Sequence, residues 1–271
     1  MLTWVDGCPS ETLPVQDRGL AYGDGLFETI GVKNGQPLLL ARHLSRLKEG
    51  CARLALPCDV DLVHSELLRF CALIGEGVAK LIVTRGDGVR GYAPSVSAQA
   101  RRILQASPWP DYPAKNAEHG VRLFSCQTRL AEQPLLAGLK HLNRLEQVLA
   151  RAEWQDFEHA EGLMLDVSGR VIEGVFSNLF LIKDGILATP DLQRCGVAGV
   201  MRAELLAQCS ARGITAVVRD ISYAELLDAD EIFLCNSLYG IWPVRALLDH
   251  DWPVGSLTRK LQSIAGDLVD C

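Results

Sequence analysis

A cluster of prolines near the middle of the chain limits, more than any other feature, how this sequence can fold. Pro108, Pro110 and Pro113 lie within a few positions of one another. Proline fixes φ and has no backbone N–H, so such a cluster interrupts helices and sheets and stiffens the chain. The 271 residues are also enough for two domains. We therefore predict an N-terminal α+β domain at 1–107, a proline-rich linker at 108–118 and a C-terminal α/β domain at 119–271.

The spacing of apolar residues predicts the elements on both sides of this linker. Apolar residues that recur every three or four positions are typical of helices, and short runs rich in Ile, Val and Leu are typical of strands. In the first domain the pattern predicts helices at 41–56 and 61–74 and strands at 79–84 and 102–106. In the second domain it predicts strands at 121–128, 216–219 and 231–235 and helices after Lys140, at 200–211 and at 256–268.

Turn and capping residues complete the prediction for the second domain. Hairpin turns are expected at 168–169 and at 184–185, where the Asp-Gly pair suits a type I′ turn. Ser222 and Glu225 have the spacing of a capping box and predict the start of a short helix. The sequence therefore predicts two α+β domains with a cleft between them.

A glycine-rich run, G-D-G-V-R-G at 86–91, matches the letter pattern of a dinucleotide-binding fingerprint. That fingerprint also needs a helix at its third glycine and an acidic residue about 20 positions later, and the sequence offers neither. The six histidines have no metal-ligand spacing, and no serine-hydrolase elbow exists. We therefore predict no metal site, and a loop between two strands that could carry Arg90 and Tyr92 toward a ligand.

Composition limits the partners and the compartment of the chain. The net charge of -6 disfavours a general affinity for nucleic acid, so an anionic ligand must meet a local group of arginines. The start of the sequence lacks a basic region and a long apolar stretch, and no apolar run approaches the ~18 residues of a membrane span. Nine scattered cysteines without a C-x-x-C pair fit reduced thiols. We expect a cytoplasmic protein that binds neither nucleic acid nor membranes.

Lys140 is the lysine whose position most suggests chemistry. It follows an apolar stretch and precedes a predicted helix whose Leu142, Leu145, Val148 and Leu149 are expected to face inward. The dipole of a helix N-terminus and partial burial both disfavour an ammonium ion and lower the pKa of a lysine. A neutral lysine amine can act as a nucleophile and as a base. The alternative interpretation is a solvated lysine at the start of a helix.

Glu173 and a glycine-containing loop are candidates for a second and a third part of a site. Glu173 lies in the strand-like run R-V-I-E-G-V at 170–175, where a carboxylate is either exposed or buried with a partner. The loop at 195–199 precedes a predicted helix, so the N–H groups of Val200 and Met201 would form an anion site. An ordinary helix start is the alternative interpretation of that loop.

Other polar residues could add to such a site. Asn236 and Ser237 end the predicted strand at 231–235, where polar groups can reach a ligand. Arg46 on the first predicted helix could supply a positive charge, or it could be solvated. A lysine amine and a separate buried carboxylate are the two groups that a pyridoxal-phosphate enzyme needs from its protein, in addition to a phosphate site.

These segments, in their order along the chain, resemble the fold type IV family of pyridoxal-phosphate enzymes. That family holds branched-chain aminotransferases, D-amino-acid aminotransferases and aminodeoxychorismate lyases. The motifs that carry the resemblance are 17–28, 43–47, Lys140, Glu173 with 177–180, 199–202 and 236–237. The resemblance covers nearly the whole chain. It implies a small N-terminal α/β domain, a larger C-terminal mixed α/β domain that is barrel-like, pyridoxal 5′-phosphate as the cofactor, and a homodimer.

Two motifs look most like aminodeoxychorismate lyases, namely G-L-K-H-L-N-R-L-E at 138–146 and R-G-x-G-x-R-G-Y at 85–92. Branched-chain aminotransferases instead carry a tyrosine five residues after the lysine, where this chain has Leu145. D-amino-acid aminotransferases share the Leu-Asn pair that follows the lysine, so they remain the alternative. A non-catalytic binding protein on this scaffold would be expected to lack Lys140 or Glu173.

The resemblance implies cleavage of 4-amino-4-deoxychorismate to 4-aminobenzoate and pyruvate, a step toward folate. Lys140 would attach the cofactor and move the proton, and Glu173 would keep the pyridine nitrogen protonated. The phosphate would be held by Arg46, Val200, Met201, Asn236 and Ser237, and the substrate carboxylates by Arg90 and Tyr92. Many relatives have a threonine at the position of Met201, so this chain offers only the backbone N–H there.

Overall fold

The computed structural model of the protein describes residues 2–269 and divides them into two compact units. The first unit runs to Pro110 and includes residues 139–143, and the second comprises residues 111–138 and 144 onward. The chain therefore first leaves the first unit within the proline cluster. The segment that contains the three prolines has no regular structure, and a short helix follows it.

The first unit contains, among the described residues, six strands and three helices. They are β1 (Thr3–Val5), β2 (Cys8–Pro9), α1 (Arg18–Tyr22), β3 (Gly25–Lys33), β4 (Gln36–Pro37), α2 (Leu40–Arg53), α3 (Val60–Ile74), β5 (Gly77–Thr84) and β6 (Arg101–Ser107). The strands form one antiparallel sheet in the order β2-β1-β6-β5-β3-β4. The helices and strands predicted for this part of the sequence are confirmed, with small differences at their ends.

Helices α2 and α3 bury their apolar faces in the core of the first unit. Leu47 of α2 and Leu67 and Phe70 of α3 are buried together with Leu81 of β5. Burial of a side chain of this size contributes about 2 kcal/mol. Asp59 caps α3, because its carboxylate accepts hydrogen bonds from two N–H groups of the first turn.

Segment 139–143 belongs to the first unit because its backbone pairs with the start of β3. The Phe27 N–H donates to the Lys140 carbonyl at 2.9 Å, and the Leu142 N–H donates to the Gly25 carbonyl at 3.0 Å. A side chain at Gly25 could not be accommodated, since its Cβ would lie 2.4 Å from the carbonyl oxygen of Val83. Such long-range pairing is not visible in sequence spacing, which is why the sequence grouped this segment with the C-terminal domain.

The second unit contains, among the described residues, nine strands and five helices. They are α4 (Lys115–His119), β7 (Val121–Leu130), α5 (Leu145–Arg151), β8 (His159–Asp166), β9 (Val171–Gly174), β10 (Asn178–Lys183), β11 (Ile186–Pro190), α6 (Val200–Ala211), β12 (Ala216–Arg219), α7 (Tyr223–Leu227), β13 (Glu231–Asn236), β14 (Gly240–Leu247), β15 (His250–Asp251) and α8 (Ser256–Val269). Across residues 2–269, no helix of either unit is long and apolar enough to cross a membrane.

Six strands of the second unit close into a ring. β10 pairs with β13, and β14, β7, β8 and β9 follow in turn, until β9 pairs back with β10. β11 and β12 extend the sheet from β10, and β15 pairs with β14. A closed ring removes the exposed strand edges that an open sheet presents. The barrel-like character predicted for the C-terminal part of the chain is thereby confirmed.

The turn and capping residues of this unit act as predicted. Asp184 and Gly185 have φ angles of 50° and 76°, and a type I′ turn requires positive φ at both positions. Ser222 and Glu225 form the reciprocal capping box at the start of α7. Strands β8 and β9 are antiparallel on either side of the turn at 168–169. Short-range signals were sufficient at these three places.

Helix α5 differs from its prediction in two respects. It begins at Leu145, so Lys140 precedes the first turn, to which the effect of the helix dipole is confined. Leu145, Val148 and Leu149 were expected to face inward, but they are 74%, 60% and 60% exposed. Their spacing places them on one face of the helix. Periodicity identifies the apolar face of a helix but does not say what covers it.

Candidate active site

Glu28, His43 and Arg46 form a buried charged cluster on β3 and α2 of the first unit. Glu28 is 2% exposed and accepts hydrogen bonds from Arg46 Nε at 2.8 Å, from Arg46 Nη2, and from His43 Nδ1 at 2.6 Å. Burial would raise the pKa of Glu28, but the Arg46 guanidinium and His43 hold it at about 2. Two bonds to one ionised carboxylate therefore fix the guanidinium of Arg46, which is a predicted phosphate ligand.

The charges of Arg46 and Lys140 both act on His43. Burial lowers the pKa of His43, Glu28 opposes this shift, and Arg46 and Lys140 add to it. A neutral His43 that donates from Nδ1 to Glu28 has Nε2 as an acceptor. This Nε2 is buried and has no hydrogen-bond partner within residues 2–269. The first unit thus brings two predicted site residues, Lys140 and Arg46, near one buried histidine.

Lys140 has a half-buried side chain on a backbone segment that β3 holds in place. Its Nζ lies 4.3 Å from the centroid of the Phe27 ring. A cation over an aromatic face is attracted by the ring, so this contact helps to position the amine. The helix dipole that the sequence suggested as a cause of reactivity does not apply, because α5 begins five residues later. The reactivity of Lys140 itself stays a prediction.

Arg90 and Tyr92 lie on the exposed loop between β5 and β6 of the first unit. The Tyr92 side chain is 84% exposed, and its ring centroid lies 5.4 Å from that of Tyr22. Buried Arg18 donates hydrogen bonds to the carbonyls of Gly91 at 3.0 Å and Tyr92 at 2.8 Å. The glycine-rich run is therefore a loop between strands, as predicted, and its backbone is tied to α1.

Glu173 lies on β9 in the second unit and is 4% exposed, so it is buried and not on an exposed strand face. Its Oε2 accepts a hydrogen bond from the Val197 N–H at 2.8 Å and a longer one from Asn178 Nδ2 at 3.5 Å. The neighbouring Arg144 is half-buried; this partial burial lowers its pKa, and the charge of Glu173 opposes that shift. An oriented, buried carboxylate of this kind favours a proton on a nearby ring nitrogen.

Asn178 links Glu173 to the N-terminus of α6. Its Nδ2 donates to Glu173, and its Oδ1 accepts a hydrogen bond from the Gly199 N–H at 3.0 Å. Within the described part of the chain, no side chain caps α6, whose first residues are Val200 and Met201. The N–H groups of an uncapped first turn, aligned with the helix dipole, are suited to bind an anion.

Asn236 shapes the turn after β13. Its Oδ1 accepts hydrogen bonds from the N–H groups of Leu238 at 2.9 Å and Tyr239 at 3.0 Å, and its Nδ2 donates to the Phe176 carbonyl at 3.5 Å. Ser237 follows it in the same turn and is half-buried. The structure therefore gives Asn236 a role in forming the turn. Its predicted contact with a phosphate stays a prediction, as does that of Ser237.

The groups assembled within each unit fit the chemistry of a phosphorylated pyridine cofactor. In the second unit, Asn178 links the buried carboxylate of Glu173 to the start of α6, which no side chain of the described residues caps. In the first unit, Lys140 supplies an amine and Arg46 a guanidinium near His43. A carboxylate for a ring nitrogen, N–H donors for a phosphate and an amine for an aldehyde are the three functions that pyridoxal phosphate requires.

Sequence inspection assigned no role to the buried carboxylates of Glu28 and Glu161, although Glu28 ends the motif at 17–28. Each interrupts an apolar strand, which is a sequence signal that could have identified both. Their partners do not stand at helical or strand spacing, since His43 is 15 positions from Glu28 and Ser177 is 16 positions from Glu161. Sequence spacing alone therefore could not distinguish a buried, paired carboxylate from an exposed one.

Comparison with known proteins places these observations in a family. Residues 25–247 match the family model described as amino-transferase class IV. An aminodeoxychorismate lyase from Vibrio harveyi is 40% identical over 264 residues, which cover 96% of this chain and 97% of that protein. The crystal structure of 4-amino-4-deoxychorismate lyase from Pseudomonas aeruginosa is 67% identical, with a TM-score of 0.97 and 98% of both chains covered. A D-alanine aminotransferase from Bacillus licheniformis is 27% identical over 92% of this chain and 89% of that protein.

Proposed function

The chain belongs to the amino-transferase class IV family, and within that family we propose that it is a lyase that cleaves 4-amino-4-deoxychorismate to 4-aminobenzoate and pyruvate. The observation that carries this proposal is the near-complete match in sequence and structure to the lyase from Pseudomonas aeruginosa. Members of the family use pyridoxal phosphate. We infer that pyridoxal 5′-phosphate is the cofactor of this chain, and that its product serves folate synthesis in the cytoplasm.

The phosphate of the cofactor has its best site at the start of α6. The backbone N–H groups of Val200 and Met201 would donate to it, because the helix has no side-chain cap. Ser237 and Asn236 would add side-chain contacts, and Arg46 would add a positive charge that Glu28 holds in one orientation. Since the Met201 side chain has no hydroxyl, the contact at this position depends on the main chain alone.

Lys140 and Glu173 would carry the chemistry. When bound, pyridoxal phosphate supplies a protonated ring that accepts the electrons of the bond being broken. Glu173 favours the proton on the ring nitrogen, because a buried carboxylate stabilises the positive charge there. Lys140 provides the amine that attaches the cofactor, and later it acts as the base that removes a proton from the substrate.

The proposed reaction needs no oxidant and conserves all atoms. Lys140 takes the proton from the ring carbon that bears the substrate nitrogen. The carbon–oxygen bond to the enolpyruvyl group then breaks, and the substrate ring becomes aromatic, which drives the step forward. The enolpyruvate that leaves gains a proton from Lys140 or a nearby acid and becomes pyruvate.

The two substrate carboxylates require positive or hydrogen-bonding partners. We assign Arg90 and Tyr92 to them, because both side chains are exposed on a loop whose backbone Arg18 holds. The loop keeps its course through main-chain contacts, so the Arg90 guanidinium and the Tyr92 hydroxyl are left to bind ligand. A guanidinium can bind a carboxylate through two parallel hydrogen bonds.

The experiment that tests the lyase is a measurement of both products from one substrate. Protein loaded with pyridoxal 5′-phosphate is mixed with 4-amino-4-deoxychorismate, and D-alanine with 2-oxoglutarate is tested in parallel. Equimolar pyruvate and 4-aminobenzoate are expected from the first mixture. If instead only the D-alanine mixture reacts, giving pyruvate and glutamate, the protein is a D-amino-acid transaminase. The Leu-Asn pair after Lys140 is the sequence feature that supports this alternative.

We also infer that the protein is a homodimer in which the apolar face of α5 is covered. Leu145, Val148 and Leu149 share that face and are mostly exposed in the single chain. Exposed apolar residues that cluster on one face mark interaction surfaces. We infer that a second copy of the chain covers this face, because two-fold homodimers are the commonest oligomers of soluble proteins.

Replacing Val148 with glutamate should dissociate this dimer. The charge would be buried twice in a two-fold interface, at a cost of at least about 2 kcal/mol for each copy. The mass in solution, measured by light scattering, should fall to that of one chain. Leu73→Glu is the matched control, since Leu73 is also an exposed apolar residue on a helix, 64% exposed on α3. A dimer that persists in the Val148 variant would contradict the assignment of this face.

A further inference from the structure

Gly174, the last residue of β9, and residues 175–177 form a tight turn that leads into β10, and residues of the proposed cofactor site flank this turn on both sides. Glu173 precedes it and Asn178 follows it, and the two residues face each other as a cross-strand pair. The turn is closed by a hydrogen bond from the Gly174 N–H to the Ser177 carbonyl at 2.7 Å. A change in the shape of this turn would therefore move both the Glu173 carboxylate and the Asn178 amide.

Glu161 on β8 holds the turn from inside the protein. It is fully buried, and each of its oxygens accepts two hydrogen bonds. Oε1 accepts from the N–H groups of Gly162 at 2.8 Å and Val175 at 3.0 Å. Oε2 accepts from the Phe176 N–H at 3.2 Å and from Ser177 Oγ at 2.6 Å. Three of the four donors thus belong to the turn itself.

The residue at position 161 must offer two oxygens that accept hydrogen bonds, and no further donor group. Burial raises the pKa of Glu161 to about 7, against the lowering effect of its four donors. If the carboxyl is protonated, its proton can go to Ser177, because a hydroxyl both donates and accepts. A glutamine could not meet this demand, since its NH₂ group would oppose the Phe176 N–H even where the Ser177 hydroxyl turns to accept from it. The space is also tight, because a Cβ at Gly174 would lie 2.9 Å from Glu161 Oε2.

A second contact holds the same turn from another strand. Asn236 Nδ2 donates to the Phe176 carbonyl at 3.5 Å, while the Asn236 oxygen shapes the turn after β13. Asn178 follows directly after the turn, and its side chain forms hydrogen bonds with Glu173 and with the Gly199 N–H. One continuous set of hydrogen bonds therefore runs from Glu161 to the start of α6.

We propose that Glu161 is a positioning residue that sets the Glu173 carboxylate and, through Asn178, the first turn of α6 in the orientations that the cofactor requires. This inference rests on the proposed function, because it assigns Glu173 to the pyridine nitrogen and α6 to the phosphate. Glu161 itself does not touch the reacting atoms in this scheme. Its effect passes through the turn at 174–177, which it holds at three points.

Glu231 provides a matched control for this proposal. It is a glutamate of the same unit that also accepts two backbone N–H hydrogen bonds, from Leu257 at 3.3 Å and Thr258 at 2.8 Å at the start of α8. Neither partner belongs to the turn at 174–177 or to α6. Both Glu161→Gln and Glu231→Gln should lose stability. A change in the affinity or the absorbance band of the cofactor should occur in Glu161→Gln only.

The experiment measures cofactor affinity and the absorbance band of the bound cofactor in purified apo-protein titrated with pyridoxal 5′-phosphate. Mutating the hydrogen-bond partners of metal-ligating residues typically costs about 10- to 100-fold in affinity or activity, and by analogy we expect a loss of up to this size for Glu161→Gln, together with a shifted band. Glu231→Gln should keep both the affinity and the band of the wild type. Thermal unfolding of each apo-protein records the structural cost separately.

Three outcomes decide the proposal. A folded Glu161→Gln protein with wild-type affinity and band would overturn it. If this variant does not fold, Ser177→Ala takes its place, because it removes one donor only; a smaller change of the same kind supports the proposal, and an unchanged band overturns it. A wild-type protein that forms no Lys140-dependent band would instead refute the proposed cofactor, which is a separate failure.

Discussion

Replacing Lys140 with alanine should abolish turnover and remove the absorbance band of the attached cofactor. Two functions are lost at once, since the proposed mechanism uses this amine both to attach the cofactor and to remove the substrate proton. Loss of a positioned base alone typically costs up to about 10⁴-fold in rate, so we expect a reduction of at least that size. Product release and the visible spectrum of the loaded protein measure the two functions independently.

Lys80→Ala is the control that separates this chemistry from the packing of the lysine. The Lys80 Nζ lies 5.6 Å from the centroid of the same Phe27 ring, whereas that of Lys140 lies at 4.3 Å. Removing Lys80 therefore also removes a cation from this ring, but we expect the band and the rate to persist, because Lys80 is exposed on β5 and has no role in the mechanism. Full activity in the Lys140 variant would exclude the proposed mechanism.

Local sequence signals predicted many elements of this fold, although the strands β3 and β14 were not among them. The Asp-Gly turn at 184–185 and the capping box of Ser222 with Glu225 depend on neighbouring residues only, and both are present as expected. The helices at 41–56 and 61–74 follow from the period of their apolar residues. In each of these cases the physical cause lies within one turn of helix or one hairpin, which the sequence displays directly.

Backbone pairing between segments that are distant in the sequence could not be predicted from local sequence signals. Lys140 was predicted to stand at the N-terminus of a helix, but that helix begins at Leu145, and the backbone around Lys140 pairs with β3, which lies more than a hundred positions earlier in the sequence. The apolar face of α5 was recognised, but its partner was assumed to be the core. Periodicity marks a face as apolar, whereas the surface that covers it depends on tertiary or quaternary contacts.

The burial of charged side chains also could not be predicted from the sequence. Glu173 was selected as a candidate from its place in a strand-like run, but that pattern could not decide whether its side chain is exposed or buried, and the structure shows it 4% exposed. Glu28 and Glu161 stand in equally apolar runs and were not recognised, because their partners are distant in the sequence. A carboxylate within an apolar strand is therefore worth testing as a buried, paired group even when no motif marks it.

Replacing Glu173 with alanine should lower turnover about a hundredfold to a thousandfold while most of the cofactor affinity is kept. The loss follows from the role of the carboxylate, which stabilises the positive charge on the ring nitrogen while the substrate proton leaves. The phosphate contacts at α6 do not involve the Glu173 side chain directly, so binding should suffer less than catalysis. Rate and affinity, measured on the same preparations, test this separation.

Glu173→Gln distinguishes the charge of Glu173 from its hydrogen bonds. The amide oxygen of a glutamine can still accept the hydrogen bond of the Val197 N–H, which Glu173 accepts at 2.8 Å. The alanine variant leaves that half-buried donor without this acceptor, at a cost of up to about 1–3 kcal/mol in the free energy of unfolding. We therefore expect the glutamine variant to unfold at nearly the wild-type temperature but to be as slow as the alanine variant. A glutamine variant with the wild-type rate would show that the negative charge of Glu173 has no part in catalysis.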